Sequence, residues 1–569
     1  MSSPQQFLAK APFQMIGVIA DPADHEVVRE FFELFKTPWE FYSTNRHYEV
    51  VLSAGESRNI DNAQLVIHYS GRKLQQDVRE GVESLSEPSS SIFCHALGRI
   101  PVYGNTITFE GDEDGFLFDE ESRRCAAYRV EGIGESAVVR VGYDLFSEIR
   151  SLLNLGQPPA NAAIPALDLH IALLRDFITG CGIALVEIPP VPTGYKCVAC
   201  LTHDVDHPSI RLHGLDHTTA GFLLRALFGS LVDTFLGRMG IRDALKNWAA
   251  VAKLPFVHFG IAKDFWRDFD DRYLELEKGL SATFFVIPRK DYAGKRGNGS
   301  APARRAARYE ARELADTICR LRTNSCEVGL HGIDAWLDSS NGREELEEVR
   351  RLTGVPEVGV RMHWLYYDEK SPSTLEKAGA SYDSTIGYNE TVGYRAGTTQ
   401  VYKPLEAEQL LELPMHAMDT ALFYLSYLGL SPTKAIVRLR QMVDTVVQYG
   451  GCVTINWHDR SLSPERLWGS CYRELIDDLK SRGAWFATAG QAVSWFRKRR
   501  SVKFEESTTH PGSVRAIMST HCTAGLPGLR MRMYNQQNSG KMDSRGSAGY
   551  VDIPLSEGTE SRIPLDVRD

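Results

Sequence analysis

Residues 196–208 read KCVACLTHDVDHP, an apolar run that predicts a strand and ends in a cluster of acidic and imidazole side chains. Asp204 and Asp206 are two residues apart, so on an extended chain both carboxylates point to the same side. Two ionised carboxylates this close repel each other, and a bound divalent cation would remove that repulsion while leaving one of them free as a base. A solvated acidic turn is the alternative, but Asp and His concentrated directly after a strand favour a functional site.

An alternation of apolar runs and helical stretches continues from residue 195 to about residue 500. Strand-like runs lie at residues 196–202, 282–287, 326–330, 359–361, 409–413, 453–457 and 484–487, and helical stretches at 304–321, 343–352, 374–378, 432–447 and 464–481. Strands that alternate with helices pair in parallel, and this many of them in one unit predict an α/β barrel or a barrel-like fold. In such a fold the reactive side chains lie at the carboxyl ends of the strands.

Three further strands of this pattern end in histidine. His331 closes one apolar run, His363 follows Arg361 by two residues, and His458 follows Asn456 by two residues, so each pair shares a face. A lone histidine would be interpreted as a buried structural residue, but recurrence at equivalent strand ends favours a shared site. Imidazole and carboxylate groups together are the donors of a zinc-type centre that keeps one position open for water.

Five motifs, in this order along the chain, resemble those of the polysaccharide deacetylase family, also called carbohydrate esterase family 4 or the NodB homology domain. They are THDVDH at 202–207, ATFFV at 282–286, EVGLHG at 327–332, YDS at 382–384 and WH at 457–458. The resemblance covers residues 195–500 and implies a distorted (β/α) barrel of the NodB type. It also implies hydrolysis of acetyl groups on sugars with one divalent metal ion as the cofactor, zinc being the expected ion.

The resemblance also implies catalytic roles for residues of this barrel. Asp204 matches the catalytic base of the family, although the usual Thr-Phe-Asp-Asp motif is replaced here by the variant with one residue between the acids. His458 matches the late histidine that acts as general acid, and Arg395, in the sequence GYRAG at 393–397, is expected to orient the base. Asp204 would then take a proton from the attacking water, and His458 would donate one to the leaving sugar nitrogen.

The metal ligands implied by the resemblance are incomplete. Asp206 and His331 match the family's metal-binding aspartate and first metal histidine, but the position of the second histidine, four residues later, is Ala335. A third ligand must therefore come from elsewhere, or the site is degraded. His363 is expected to supply it because it ends a neighbouring strand. His207 is the alternative, although strand parity points it away from Asp206.

Substrate-binding residues are expected on the wall of the same rim. Arg361 stands where the family's Arg-Pro-Pro-Tyr motif begins, which forms a groove wall in the family. Trp364 and Trp457 offer flat apolar faces to a sugar ring, although aromatic side chains are more often part of a core.

The resemblance implies a hydrolase of carbon–nitrogen bonds that removes acetyl groups from an N-acetylated sugar of a polysaccharide or glycan precursor, such as a cell-envelope polysaccharide. Two alternatives remain. A non-catalytic descendant would bind a glycan or a partner protein through the same rim, which the loss at Ala335 would permit. A hydrolase of a small non-sugar amide would share the site and differ only in its substrate.

The rest of the 569-residue chain shows no concentrated polar cluster. Residues 1–190 alternate short apolar runs with helical stretches and predict a smaller α/β domain that precedes the barrel. The proline-rich stretch 188–194 predicts a stiff connector. Residues 501–569 are rich in Gly, Ser, Thr, Pro and Arg, show no sustained period, and predict a mostly disordered tail.

Charge and hydropathy narrow the expected partners. The formal net charge is −9, so no overall basic surface for nucleic acid is expected, and the substrate is the acetylated carbohydrate. The first residues lack a secretory signal, which predicts a cytoplasmic protein. Residues 220–246 are apolar but interrupted by charges, so no transmembrane span is expected. They predict an amphipathic helix packed on its own domain or, alternatively, a peripheral contact with a membrane surface.

Overall fold

The chain forms two compact units. The computed structural model describes residues 9–10, 15–55, 60, 62–79, 82–87, 90–110, 115–131, 136–214, 216–235, 239–297, 299–506, 513–518, 525–534, 549–555 and 561–564. One unit comprises Met1–Gly194, Ala396–Thr398 and Trp495–Asp569, and the other comprises Tyr195–Arg395 and Thr399–Ser494.

The first unit is built on a twelve-stranded mixed sheet. Its strands are Ala9–Lys10, Ile16–Ile19, Trp39–Phe41, Arg46–Ala54, Ala63–Tyr69, Ser84–Glu87, Ser91–His95, Gly98–Val102, Thr106–Phe109, Gly115–Asp119, Cys125–Glu131 and Ala137–Val141. Its helices are His25–Phe35, Gln75–Arg79, Leu145–Asn154 and Ala166–Gly180. This is the α/β composition that the alternation in residues 1–190 predicts.

Two three-stranded antiparallel sheets complete the first unit. One joins Leu185–Glu187, Leu529–Tyr534 and Tyr550–Leu555, and the other joins Lys503–Glu506, Ser513–Ile517 and Ser561–Pro564. The segment predicted to be a mostly disordered tail therefore contributes strands to both sheets. Its residues 507–512, 519–524, 535–548, 556–560 and 565–569 lie outside the described part of the chain.

The second unit contains a seven-stranded sheet in which every pairing is parallel. Its strands are Cys197–Val205, Ala282–Val286, Glu327–Gly332, Val360–Met362, Ala417–Met418, Cys452–Asn456 and Ala484–Phe486. Its helices are His217–Leu224, Ser230–Phe235, Ile241–His258, Phe269–Leu276, Ala315–Thr323, Ser339–Thr353, Ser371–Ala378, Asp419–Phe423, Pro432–Tyr449 and Gly469–Ser481, and Ala489–Arg500 begins in it. Because the strands run parallel, their carboxyl ends lie at one rim.

The sheet closes into a ring through single bridges instead of long ladders. Val360 pairs in parallel with Asp383, and Asp383 pairs in parallel with Glu412. The chain then continues into Ala417–Met418, which pairs with Cys452–Asn456. The predicted α/β barrel is therefore confirmed, and it is distorted where isolated bridges replace regular strands.

Local sequence explains why these elements form. All nine residues of Cys197–Val205 are buried, as expected of a central strand covered on both faces. Pro432–Tyr449 begins with proline at its first turn after the Ser431 cap, and its buried residues recur at helical spacing. Gly359 precedes Val360–Met362 because a Cβ there would lie 1.9 Å from Cζ of Tyr382.

Among the described helices, none combines the length and the apolarity needed to cross a bilayer. No transmembrane span is expected at residues 220–246. Residues 236–238 of this stretch lie outside the described part of the chain.

Candidate metal centre and active site

Three of the predicted ligands converge at the carboxyl rim of the barrel. Oδ1 of Asp206 lies 3.4 Å from Nε2 of His331 and 3.4 Å from Nδ1 of His363. The two imidazole nitrogens are 3.0 Å apart. One donor atom from each residue therefore falls within 4.8 Å of the others, a grouping able to hold a metal ion. These residues come from the carboxyl ends of three parallel strands of one sheet, which explains why the strand-end rule found them.

Hydrogen bonds fix which nitrogen of each ring faces this point. Nδ1 of His331 lies 2.9 Å from the carbonyl oxygen of Arg361, and Nε2 of His363 lies 3.0 Å from the carbonyl oxygen of Arg305. A carbonyl oxygen only accepts, so those ring nitrogens carry the hydrogens. The lone pairs of Nε2 of His331 and Nδ1 of His363 are thereby directed at each other. Metal-binding histidines are typically oriented by backbone carbonyls in this way.

The donor set fits a divalent cation. Burial lowers the pKa of His363 to about 3, so its ring is neutral at pH 7. Oδ1 of Asp206 is buried and accepts no hydrogen bond from any described residue. Two facing lone pairs and an unpartnered carboxylate oxygen are unfavourable without a cation between them. Two imidazoles and one carboxylate are typical donors for a zinc-type ion.

The backbone next to His363 is strained. Trp364 and Leu365 have φ angles of 61° and 54°, a left-handed region that side chains other than glycine rarely adopt. Arg305 braces the same turn, since its Nη2 donates to the carbonyl oxygen of His363 at 2.9 Å and its guanidinium lies over the Tyr366 ring. Strain held in place by such contacts is common at functional sites, and here it sets the position of His363.

The second aspartate, Asp204, lies in a different environment. Its Oδ1 accepts from Nη1 of Arg361 at 3.0 Å, and its Oδ2 accepts from Nδ2 of Asn456 at 2.7 Å. Burial would raise the pKa of the Asp204 carboxyl, but His331 and Arg361 hold it below its ordinary value. Asp204 is therefore an ionised carboxylate at neutral pH, with Oδ2 3.8 Å from Nε2 of His331.

His458 and Asp419 form a hydrogen-bonded pair beside the metal ligands. Nδ1 of His458 lies 2.6 Å from Oδ1 of Asp419, and the backbone N–H of His458 donates to Oδ2 of Asp419 at 2.8 Å. Burial alone would lower the pKa of His458, but the charges of Asp419 and Asp206 raise it to about 10. The ring is thus protonated at pH 7, and its Nε2 points toward Asp206 at 3.8 Å.

The candidate ligands, Asp204 and His458 open into one cavity of about 640 Å³. Asp204, Asp206, His331, His363 and His458 line it. Trp364, predicted to contact substrate, also lines it and is partly exposed. A cavity of this size suits a sugar-sized ligand.

Three sequence-based assignments need correction. Arg395 is not placed against the base, because its Nη1 donates to the carbonyl oxygen of Gly387 at 2.9 Å. The guanidinium that holds Asp204 belongs to Arg361, which is fully buried and so is not an exposed groove wall. Trp457 is also fully buried, stacked on Tyr472 in the core, and offers no face to a substrate.

The alternative ligand His207 lies outside the metal group. Its Nδ1 lies 3.1 Å from Nε2 of His213, and its backbone N–H donates to Asp459. Its exclusion agrees with the parity of Cys197–Val205, which directs alternate side chains to opposite faces.

Sequence reasoning missed Asp419 and the role of Asn456. Asp419 directly follows the short strand Ala417–Met418, so it obeys the same strand-end rule as the other site residues. The strand predicted at 409–413 ends several residues before Ala417–Met418, so Asp419 does not follow a predicted strand end. Asn456 shares a face with His458, which was sufficient to place its amide at the rim.

Comparisons with known proteins find similarity among solved structures. No family profile matches the chain, and no curated protein matches it. A candidate polysaccharide deacetylase from Mycobacterium smegmatis is 20% identical over 55% of this chain and 95% of its own, with a TM-score of 0.33. The carbohydrate deacetylase Agd3 is 8% identical over 98% of this chain and 99% of its own, with a TM-score of 0.35. PuuE allantoinase is 14% identical over 55% of this chain and 92% of its own, with a TM-score of 0.32.

Polysaccharide deacetylases are thus among the solved structures to which this chain is similar, as the resemblance of its sequence motifs indicates.

Proposed function

We propose that this chain is a metal-dependent hydrolase that removes the acetyl group from an N-acetylated sugar of a polysaccharide or glycan precursor. The observation that carries the proposal is the convergence of Asp206, His331 and His363 beside an ionised Asp204 and a protonated His458 in one cavity. A base, an acid and a cation site are the groups that hydrolysis of an unactivated amide requires.

Asp206, His331 and His363 would hold the ion, with zinc the best fit to two imidazoles and a carboxylate. Such an ion, when bound, polarises a substrate carbonyl and lowers the pKa of water. Hydrolysis then needs one group to take a proton from water and another to give a proton to the nitrogen.

Asp204 takes the proton from the attacking water, because Arg361 and Asn456 keep its carboxylate ionised and fixed. His458 donates the proton on Nε2 to the sugar nitrogen as the carbon–nitrogen bond breaks, because an amine cannot leave as an anion. The products are acetate and the free amino sugar. Asp419 keeps His458 protonated, and Trp364 supplies an apolar face within the cavity.

The non-catalytic alternative rested on the alanine at position 335. With His363 beside Asp206 and His331, a third ligand is available without a histidine at that position. Hydrolysis of a small non-sugar amide uses the same groups, and a panel of substrates separates it from sugar deacetylation.

Asp204→Asn should lower kcat for acetate release from N-acetylated oligosaccharides by about 100-fold or more, because an amide cannot accept the proton. Acetate release across a panel that includes small non-sugar amides checks both the base and the substrate class. Asp271→Asn, which changes an exposed carboxylate, is the matched control and should leave kcat unchanged. Equal release by wild type and Asp204→Asn would refute the assignment of the base.

His363→Gln should lose the bound ion, whereas His207→Gln should retain it, because only His363 directs a ring nitrogen at Asp206 and His331. Metal content after dialysis, measured by elemental analysis of the purified full chain, checks this. The wild-type chain is expected to hold one divalent ion. If His363→Gln retained the ion and His207→Gln lost it, His207 would be the third ligand instead.

Asp419→Asn should move the alkaline limb of the kcat–pH profile toward lower pH by about one unit or more. A general acid works only when protonated, so activity is lost as the pH rises through the pKa of His458. Removing the carboxylate that raises this pKa makes the loss occur at a lower pH. Asp444→Asn changes an exposed ion pair and should leave the profile in place. An alkaline limb at the same pH in Asp419→Asn would show that His458 is not the acid.

A further inference from the structure

Among the arginines that line the cavity, Arg225, Arg460 and Arg466 influence one another's charge and have no role in the proposed chemistry. The side chains of Arg466 and Arg460 are withdrawn from water, with 5% and 9% of their surface exposed. A buried charge is costly unless hydrogen bonds or an opposite charge compensate it. These three guanidinium groups therefore need an explanation.

Their hydrogen bonds are incomplete. Nε and Nη1 of Arg466, and Nε of Arg225, are buried and find no acceptor in the described part of the chain. Nη2 of Arg466 donates to the hydroxyl of Tyr424 at 2.5 Å, and its guanidinium lies over the Trp468 ring. The guanidinium of Arg460 lies over the Trp266 ring. Three donors thus remain unused on two of the arginines that line the cavity.

The neighbouring carboxylates offset only part of this charge, because Asp459 and Glu465 act on Arg460 and Arg466 but accept no hydrogen bond from their guanidinium groups in the described part of the chain. Asp459 accepts from the backbone N–H of His207 at 2.7 Å, and Glu465 accepts from the indole N–H of Trp266 at 3.4 Å. The cations also act on one another: burial and the charge of Arg466 lower the pKa of Arg225 to about 10. A group of crowded cations with unused donors is stabilised by an anion.

We propose that Arg225, Arg460 and Arg466 form a subsite for a compact oxyanion, a phosphoryl or carboxylate group, carried by the substrate. The inference rests on the proposed function, because the subsite and the metal centre line the same cavity. The substrate class is therefore an acetylated sugar with an attached anionic group. Guanidinium groups suit such anions because their planar donors pair with two oxygens at once.

Binding of inorganic phosphate, and in a second arm of glucuronic acid, to the full chain tests the subsite by titration calorimetry. Arg466→Gln and, separately, Arg460→Gln should weaken binding of the preferred anion about tenfold or more. Arg312→Gln, an exposed guanidinium, is the matched control and should bind as wild type does. The arm with the tighter, arginine-dependent binding identifies the anion as phosphoryl or carboxylate.

Asp206→Asn separates this subsite from anion binding at the metal centre. Anion binding that persists in Asp206→Asn and in Asp204→Asn but weakens in Arg466→Gln supports the subsite, even if no deacetylation is found. Binding lost in Asp206→Asn and unchanged in both arginine variants would overturn it, as would no binding of either anion. Failure of the proposed function would appear instead as acetate release that does not depend on Asp204.

A second inference rests on a different surface, the helices between residues 217 and 258. Phe235, Phe259 and Phe228 are exposed over 91%, 80% and 64% of their surface, and other large apolar side chains lie exposed with them. These others are Leu224, Leu231, Val232, Ile241, Leu245, Phe256 and Ile261. An exposed apolar surface of this extent is unusual for a protein that meets only water.

Helix Ile241–His258 has three distinct faces. Ala244, Ala250, Leu254 and Val257 are buried, and the last three pack with Phe222 and Trp266 in a small core of their own. The exposed apolar residues Ile241, Leu245 and Phe256 recur at helical spacing on another face, and the exposed cations Arg242, Lys246 and Lys253 lie between the two. Only one apolar face of this helix therefore packs on its own domain. The second apolar face is exposed.

We infer that the exposed apolar face of this helical region docks on a membrane surface that contains anionic lipids. Arg242 and Lys253, which form no ion pair within the described part of the chain, are complementary to anionic headgroups, whereas Lys246 pairs with Asp243 at 2.8 Å and the chain as a whole carries a net charge of −9. An apolar face flanked by Lys and Arg is the arrangement of helices that lie in the interface plane.

Sedimentation of the full chain with vesicles tests the docking surface. The chain should bind vesicles of phosphatidylcholine mixed with phosphatidylglycerol, and the triple variant Phe228→Ser, Phe235→Ser, Phe259→Ser should lose at least tenfold in binding. Leu155→Ser, another exposed apolar residue, is the matched control. No binding by wild type would overturn the inference. So would a wild-type dimer, seen by light scattering, that the triple variant converts to a monomer, because the face would then be an interface between copies.

Discussion

The guanidinium of Arg361 crosses the barrel interior and joins three parts of the site. Its Nη1 donates to Thr202 Oγ1 at 2.7 Å and to Asp204 Oδ1 at 3.0 Å, and its Nε donates to the carbonyl oxygen of Ser384 at 3.0 Å. Its own carbonyl oxygen fixes the ring of His331. A fully buried cation of this kind is tolerated only when its donors are satisfied, and breaking such a pair typically costs about 3–5 kcal/mol. The placement of the proposed base and of one proposed metal ligand therefore depends on the same residue, through its side chain and its backbone carbonyl.

The contacts of Arg361 explain why Asp204 and Asp206, only two residues apart, have different proposed roles. Asp204 has a guanidinium and an amide on its two oxygens, so its charge is compensated by the protein alone. Asp206, nearer the rim, keeps one buried oxygen without a hydrogen bond and faces two imidazole nitrogens. Carboxylates in such different environments ionise and bind differently although their sequence context is nearly the same. The proposed base and the proposed ligand thus differ in their depth in the barrel.

The sequence did not predict how deep in the barrel each side chain lies. Strand periodicity was sufficient to bring the aspartates and His363 to one rim, because the alternation of side chains is fixed by backbone geometry. Periodicity did not show that Arg361, two residues before His363, lies below the rim, where it contacts Asp204 and not a substrate. The role of Arg395 came from family resemblance without support from periodicity, and the structure does not place it at the base. Parity could have excluded Trp457, since it precedes His458 by one residue and faces the core.

The electrostatics of the cavity restrict which substrates can approach. A net charge of −9 opposes anions at long range, but charges more than about 8 Å apart are largely screened at physiological ionic strength. Within the cavity, a ligand therefore meets mainly the charges of the side chains that line it, among them Arg225 and Arg466. Arg225 lies on the turn Arg225–Gly229, three residues from the exposed Phe228, so one segment carries both a cavity cation and the apolar face. An acetylated sugar with an attached anionic group would engage the proposed arginine subsite, whereas a neutral oligosaccharide would not.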